Sequence, residues 1–410
     1  MTTTEDKVGQ TANLLLSADA VRERCDQVLA AAQSLEHFRI HWDRLDSAAD
    51  YVVDTIRANY PDLDVPFHSR WRHFKLDGLD RWQAIASRLD LSKDELARTE
   101  FDLAITSVLL DAGAGAVWRY RDALTGKEVH RSEGLALASL DAFANGLFSS
   151  SSERPLQADA AGLQNITEDH LSRAFQVSSD NQLEGLSGRV KLMNRLGGTM
   201  QQNEQSFAGE VLRIGNLFDL IAEEHGDRID APSLLAIVIQ ALGDIWPGRL
   251  SIDGANLGDT WQHPAVCSND ATNGFVPFHK LSQWLTYSLI EPLQSAGICV
   301  SDINGLTGLA EYRNGGLFID LGVLELRDPS AFKRLHKPSD TLIVEWRALT
   351  VALLDRIAVV IRGKLSKSLD DLPLASILEG GTWAAGRRIA AEHRPGATPP
   401  IRIASDGSVF

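Results

Sequence analysis

The chain has 410 residues, 44% of them hydrophobic and 23% charged, with a formal net charge of −15 and a pI near 5.2. So acidic a balance argues against a surface that wraps nucleic acid, which would be basic, yet it leaves room for a small anion held by a few local Arg and Lys side chains. Cys25, Cys267 and Cys299 are too few and too scattered for a disulfide framework or a zinc cluster, and no apolar run approaches the roughly 20 residues that span a bilayer.

The first ten residues, MTTTEDKVGQ, lack a basic region followed by an apolar run. No secretory signal is expected, and a cytoplasmic, reducing compartment is the default. Residues 11–35 read as a helix that Ser17 or Asp19 caps, with Val21, Val28 and Leu29 near helical spacing. Residues 42–59 repeat the pattern with Leu45, Ala49, Val52, Val53 and Ile56. Pro61 and Pro66 break it, so 61–74 is expected as an extended loop carrying His68, Arg70, Arg72 and His73 between aromatic residues. Helical text resumes over 78–89 and 93–111. The small-residue run 112–117 is a spot where backbone can approach a ligand or a neighbouring helix closely.

Residues 149–157, Ser-rich with Pro155, are the best candidate linker. The chain is therefore expected as one large compact unit over 1–410, with a subdivision into 1–148 and 156–410 as the alternative. Helices follow over 167–176, 181–199, 205–225 and 231–244, the last begun by Ser233 or by Asp230 before Pro232. The irregular stretch 245–276 is long for a loop and holds tryptophans, which points to a functional segment. Helices at 278–296, 340–367 and 383–393, a short strand or turn within 318–326, and a small hairpin around Asp406-Gly407 complete the reading. With neither an internal repeat nor an alternating βαβ pattern, the fold class is mainly α with minor β.

The segment 275–322 is the most informative. An aromatic-rich helix gives way to a glycine-spaced loop holding Asp302, Glu311, Arg313 and Asn314 among apolar residues. Charges packed there cost free energy unless they are paired or used, so the segment reads as the wall of a small-molecule site. Elsewhere each motif has two readings. Arg70 and Arg72 form either an oxyanion claw or an outward-facing pair bound to Asp62 and Asp64. Asp259, beside Trp261 and His263, is a catalytic carboxylate or a turn Asp capping its own backbone. Glu345 and Arg347, within an apolar helix, are ligand groups or structural partners of Glu311 or Arg313. Lys280 reaches a phosphate or snorkels from the helix edge. No phosphate loop, HExxH or paired-Cys motif is present. Neither a metal nor a cofactor is expected.

The segments VPFHSRWRHF, IWPGRLSIDGANLGDTWQHP, FVPFHKLSQWLTYSLIEP, LTGLAEYRNGGLFIDLGVL, VEWRALTVALLDR, LEGGTWAAGRRIA and SDGSVF resemble, over nearly the whole chain, an uncharacterised-domain family with a member in yeast uracil catabolism. That resemblance implies a route in which a uridine nucleotide is ring-opened and a ribosylurea-type product is broken down. More distantly, the order FHKLSQW, DINGLTGLAEYRNGG, IVEWRAL is similar to the queuosine salvage N-glycosidases. Those enzymes are mainly helical, in an arrangement likened to helical DNA glycosylases, and cleave a ribosyl C–N bond. On this likeness Lys280 and Gln283 match the helix start, Asp302, Thr307, Tyr312 and Arg313 the loop, and Glu345 and Arg347 the later helix. Glu311 stands where that family has Asp, and Asp259 is the nearest counterpart of its upstream Arg-Asp.

Together the resemblances imply an N-ribosyl hydrolase. Asp302, Asp259 and Glu311 are its candidate catalytic carboxylates. The candidate substrate-binding residues are His68, Arg70, Arg72, Trp261, His263, Lys280, Tyr312, Arg313, Glu345 and Arg347. The expected partner is a ribosyl or nucleotide-derived small molecule, without nucleic acid or membrane. A non-catalytic ribosyl- or nucleotide-binding regulator and a C–N hydrolase of the opened pyrimidine ring are the alternatives.

Overall fold

Ser17 accepts the N–H of Ala20 and starts the helix Ala18–Ala30, the first of many in which a polar side chain ahead of an apolar stripe sets the boundary. The computed structural model describes residues 11–111, 113–115, 117–246 and 249–404. It is mostly helical, 56% helix and 10% strand, with small two-stranded sheets. The main expected helices form as Leu45–Asn59, Lys93–Leu109, Leu186–Gln202, Ala231–Leu242, Lys280–Ala296, Thr341–Leu365 and Ala384–His393. Asp230, not Ser233, caps the Ala231–Leu242 helix. The expected helix over 205–225 is shorter, Leu217–His225, because 3₁₀ turns occupy Glu204–Phe207 and Ile214–Asn216. The Asp406-Gly407 turn lies outside the described residues, as do two positions of the 112–117 run.

By its contacts the chain divides into two units, each assembled from separated segments. The described part of the first unit comprises residues 11–68, 249–283 and 302–404. Its centre is the Thr341–Leu365 helix, buried on its whole circumference from Leu342 to Leu354. Leu, Val and Ala around all faces of those turns make this possible, and they leave Glu345 and Arg347 no route to solvent. Helices Ala18–Ala30 and Leu45–Asn59 pack on it. So does the Tyr312–Asp320 helix, which also packs on Ala384–His393. Phe38–Ile40 pairs antiparallel with Leu324–Leu326, Phe38 opposite Leu326, and Leu335–His336 runs parallel to Arg402–Ile403.

The 245–276 stretch is more ordered than its text suggests. Ser251–Ile252 and Ala255–Asn256 form a hairpin around Asp253 and Gly254, both at positive φ, the backbone that two-residue turns require. Thr260–Gln262 pairs antiparallel with Phe275–Pro277.

The second unit has described residues within 69–246 and 284–301. The Ser-rich 149–157 stretch, expected as a linker, falls inside it. Asp159, which caps the Ala160–Gln164 helix through Gly162 N–H, also takes the Ser150 N–H at 2.7 Å. Arg213 is bound to buried Asp102, whose other oxygen accepts Gly215 N–H at 2.7 Å. Pro292 lies inside the Lys280–Ala296 helix and cannot donate to Ser288. The carbonyl so released accepts Trp71 Nε1–H at 2.7 Å. Among the described residues no helix is long and apolar enough to cross a membrane.

Candidate active site

Within the first unit, the turn after Gly258 places Asp259 at the foot of the Thr260–Gln262 strand, facing the buried helix. Arg347 grips its carboxylate with two parallel hydrogen bonds, Nη1 to Oδ1 and Nη2 to Oδ2, each 2.8 Å. Trp261 Nε1 donates to Oδ1 at 2.7 Å and the Lys280 backbone N–H to Oδ2 at 3.1 Å. Four donors fill the acceptor sites of one carboxylate. Burial alone would raise the Asp259 carboxyl, but the Arg347 charge and these bonds outweigh it and hold the group well below the usual carboxylate range. The Phe278 ring lies 4.0 Å from the Arg347 guanidinium carbon, and Arg347 Nε reaches Ala310 O at 3.3 Å. This clamp joins the hairpin, the start of the Lys280–Ala296 helix and the turn before Glu311.

Glu345, one residue before Trp346 on the same helix, is fully buried. Its Oε1 accepts the N–H groups of His37 and Phe38, and its Oε2 lies 3.3 Å from His263 Nε2. Because Ala265 N–H donates to His263 Nδ1, the ring proton belongs on Nε2 and points at Glu345. Glu345 and Arg347 thus have partners other than the expected Glu311 and Arg313. Gln283 and Thr307 bond reciprocally, Nε2 to Oγ1 at 2.6 Å and Thr307 N–H to Oε1 at 2.9 Å. Lys280 is half-buried at the helix start.

The three expected catalytic carboxylates have different surroundings. Asp302 is exposed, with a left-handed backbone at φ +48°, and its side chain makes no hydrogen bond among the described residues. Solvent around Asp302 gives it a high-dielectric setting, unlike the buried Asp259 and Glu311. Asp259 is saturated by its clamp. Glu311 is 8% exposed and caps the Tyr312–Asp320 helix, Oε2 accepting Arg313 N–H at 2.9 Å and Oε1 accepting Asn314 N–H at 2.6 Å. Two lone-pair sites of Glu311 stay uncommitted among the described residues.

Next to it, the Arg313 guanidinium carbon lies 5.2 Å from the Tyr312 ring and 4.7 Å from Trp383. Trp383 also stands 5.5 Å from the His68 ring, and His68 Nδ1 meets Glu379 Oε2 at 2.6 Å. Glu379 and Trp383 were not singled out as site residues. The signal available for them was a Gly-Gly pair set between a carboxylate and an indole in LEGGTW.

Arg70 and Arg72 belong to the second unit, in a 3₁₀ turn, Arg70–Phe74, and not in an extended strand. Arg70 is fully buried, 3.2 Å from Asp111 and bonded through Nε to Ser107 at 2.7 Å, while Arg72 pairs with Glu291. Both arginines are paired, with Asp111 and Glu291 and not with the expected Asp62 and Asp64. Among the described residues no group of three or more His, Cys, Asp or Glu side chains is placed to hold a metal ion.

A family model described as a protein of unknown function, DUF1688, matches residues 14–410. The chain is 40% identical to Protein urg3 of Schizosaccharomyces pombe, over 98% of this chain and 99% of that one. It is 36% identical to Uracil catabolism protein 4 of Lachancea kluyveri, over 96% of this chain and 98% of that one.

Proposed function

The chain belongs to the DUF1688 family, and on that footing we propose that it serves uracil catabolism as an N-ribosyl hydrolase. The reaction is cleavage of the C1′–N bond of a ribosylurea-type intermediate, with or without a 5′-phosphate, to urea and a ribose product. The pathway follows the description carried by the Lachancea kluyveri relative. The fold expected with this reading is the helical arrangement of the queuosine salvage glycosidases and helical DNA glycosylases.

The observation that carries the chemistry is Glu311, a buried carboxylate fixed by two backbone N–H groups beside Tyr312 and Arg313. Breaking C1′–N builds positive charge on the ribose, and a fixed carboxylate stabilises that charge more in the transition state than in the ground state. Glu311 takes a proton from the attacking water as its oxygen bonds to C1′. The C–N electron pair leaves with the urea nitrogen, which takes a proton from the Tyr312 hydroxyl. Arg313 and Lys280 are the cations for a 5′-phosphate. Arg347, through Ala310 O, holds the turn that aims Glu311. The test is purified protein with ribosylurea and its 5′-phosphate, assayed for free urea and, by mass, for any other product. Urea and ribose or ribose 5-phosphate are expected. Binding without turnover would make the protein a regulator, and a product from the opened ring would make it a different C–N hydrolase.

A further inference from the structure

Seven residues, Ile377–Trp383, form a π-helix. Such turns are uncommon and recur at functional sites, where they place side chains out of α register. Two glycines let this one lie close to its neighbours. A Cβ on Gly380 would come within 2.7 Å of Val65 Cγ1, and one on Gly381 within 3.0 Å of Val52 Cγ1.

The π-helix and the Tyr312–Asp320 helix that packs against it carry hydrogen-bond acceptors left unsatisfied among the described residues. Glu379 takes one bond, from His68, and its Oε1 has no hydrogen bond among the described residues. Thr382 Oγ1 is buried without a partner among the described residues. On the Tyr312–Asp320 helix, which packs against the π-helix, Asn314 Oδ1 is also buried without a partner among the described residues. Orphaned buried acceptors are few in native proteins, and two on one pair of packed elements are unsatisfied until a donor arrives. Trp383, next to Thr382 in the π-helix, supplies an aromatic ring, with the guanidinium carbons of Arg313 at 4.7 Å and Arg387 at 5.0 Å from it. A small planar group with several N–H donors and one carbonyl suits this set. Such a group would offer its N–H donors to Glu379, Asn314 and Thr382 beside the Trp383 indole.

We propose that the π-helix Ile377–Trp383 and the start of the Tyr312–Asp320 helix form a subsite for a ureido or amide group, with Glu379 its main acceptor and His68 the residue that orients Glu379. The proposal rests on the hydrolase reading only for the choice of ligand. Calorimetry with the carbocyclic analogue of ribosylurea, which cannot form an oxocarbenium ion, measures binding without turnover, and ribose is the control. Glu379→Gln is expected to weaken the analogue by about tenfold or more and to leave ribose unchanged. Thr382→Val removes an orphaned hydroxyl at constant shape. It is expected to raise the melting temperature while weakening the analogue, a combination that a purely structural threonine would not produce. The proposal is overturned if the natural protein binds the analogue no better than ribose, or if both variants keep its affinity. Binding of the analogue without urea release from ribosylurea would overturn the hydrolase reading alone.

Discussion

Replacing Arg347 by Met is the sharpest test of the clamp at Asp259. The change keeps the bulk of an unbranched side chain against Phe278 but removes two of the four hydrogen bonds to Asp259. The carboxylate stays 9% exposed, with only Trp261 Nε1 and the Lys280 N–H left. Breaking one side of a buried ion pair costs about 3–5 kcal/mol, and two charge-assisted hydrogen bonds at about 1.5–3 kcal/mol each reach the same range. The pH dependence follows with a definite sign. In the natural protein the Asp259 carboxyl is held below its unfolded value, so its contribution is present above about pH 4 and is lost as pH falls toward the folded value. Without Arg347, burial dominates and lifts the folded carboxyl above the unfolded one. The variant then loses stability as pH rises through the interval from about 4 upward. Urea denaturation at several pH values should therefore show a gap of about 3–5 kcal/mol near pH 7 that narrows toward pH 5. A gap under about 1 kcal/mol, typical of an exposed pair, or one constant over that range, would refute the argument.

Glu311→Gln retains an oxygen to cap the Tyr312–Asp320 helix, so circular dichroism should be unchanged while urea release falls by about 10²-fold or more. Asp302→Asn, at an exposed position, should alter stability by less than about 0.5 kcal/mol in denaturant titration and leave turnover intact. Gly380→Ala forces a methyl group toward Val65 and should cost about 1–3 kcal/mol by the same titration.

Much of the fold was legible because helix-forming residues, caps and breakers act locally. Asp230 before Pro232 announces its helix, and the apolar run of 340–367 announces the Thr341–Leu365 helix. The two Asp-Gly hairpins, at Asp77-Gly78 and Asp253-Gly254, carry a local turn signal in the same way. The division into units was not legible. Each unit gathers segments far apart in sequence, and the Ser-rich 149–157 stretch is tied down by Asp159 rather than left as a linker.

By its own text the chain determined a mainly helical protein with charged residues stranded in apolar surroundings, because helical period and the cost of burying charge are properties of neighbouring residues. Tertiary structure decided which of those charges are spoken for. Asp259 found Arg347 88 residues away, Glu345 found His263, Arg70 found Asp111, and Asp302 was left in solvent. Of the three expected carboxylates, Glu311 alone is buried with lone pairs uncommitted among the described residues, and the π-helix brings Glu379 and Trp383 to His68. A carboxylate's chemistry depends on the donors and the dielectric around it, and long-range packing alone supplies both.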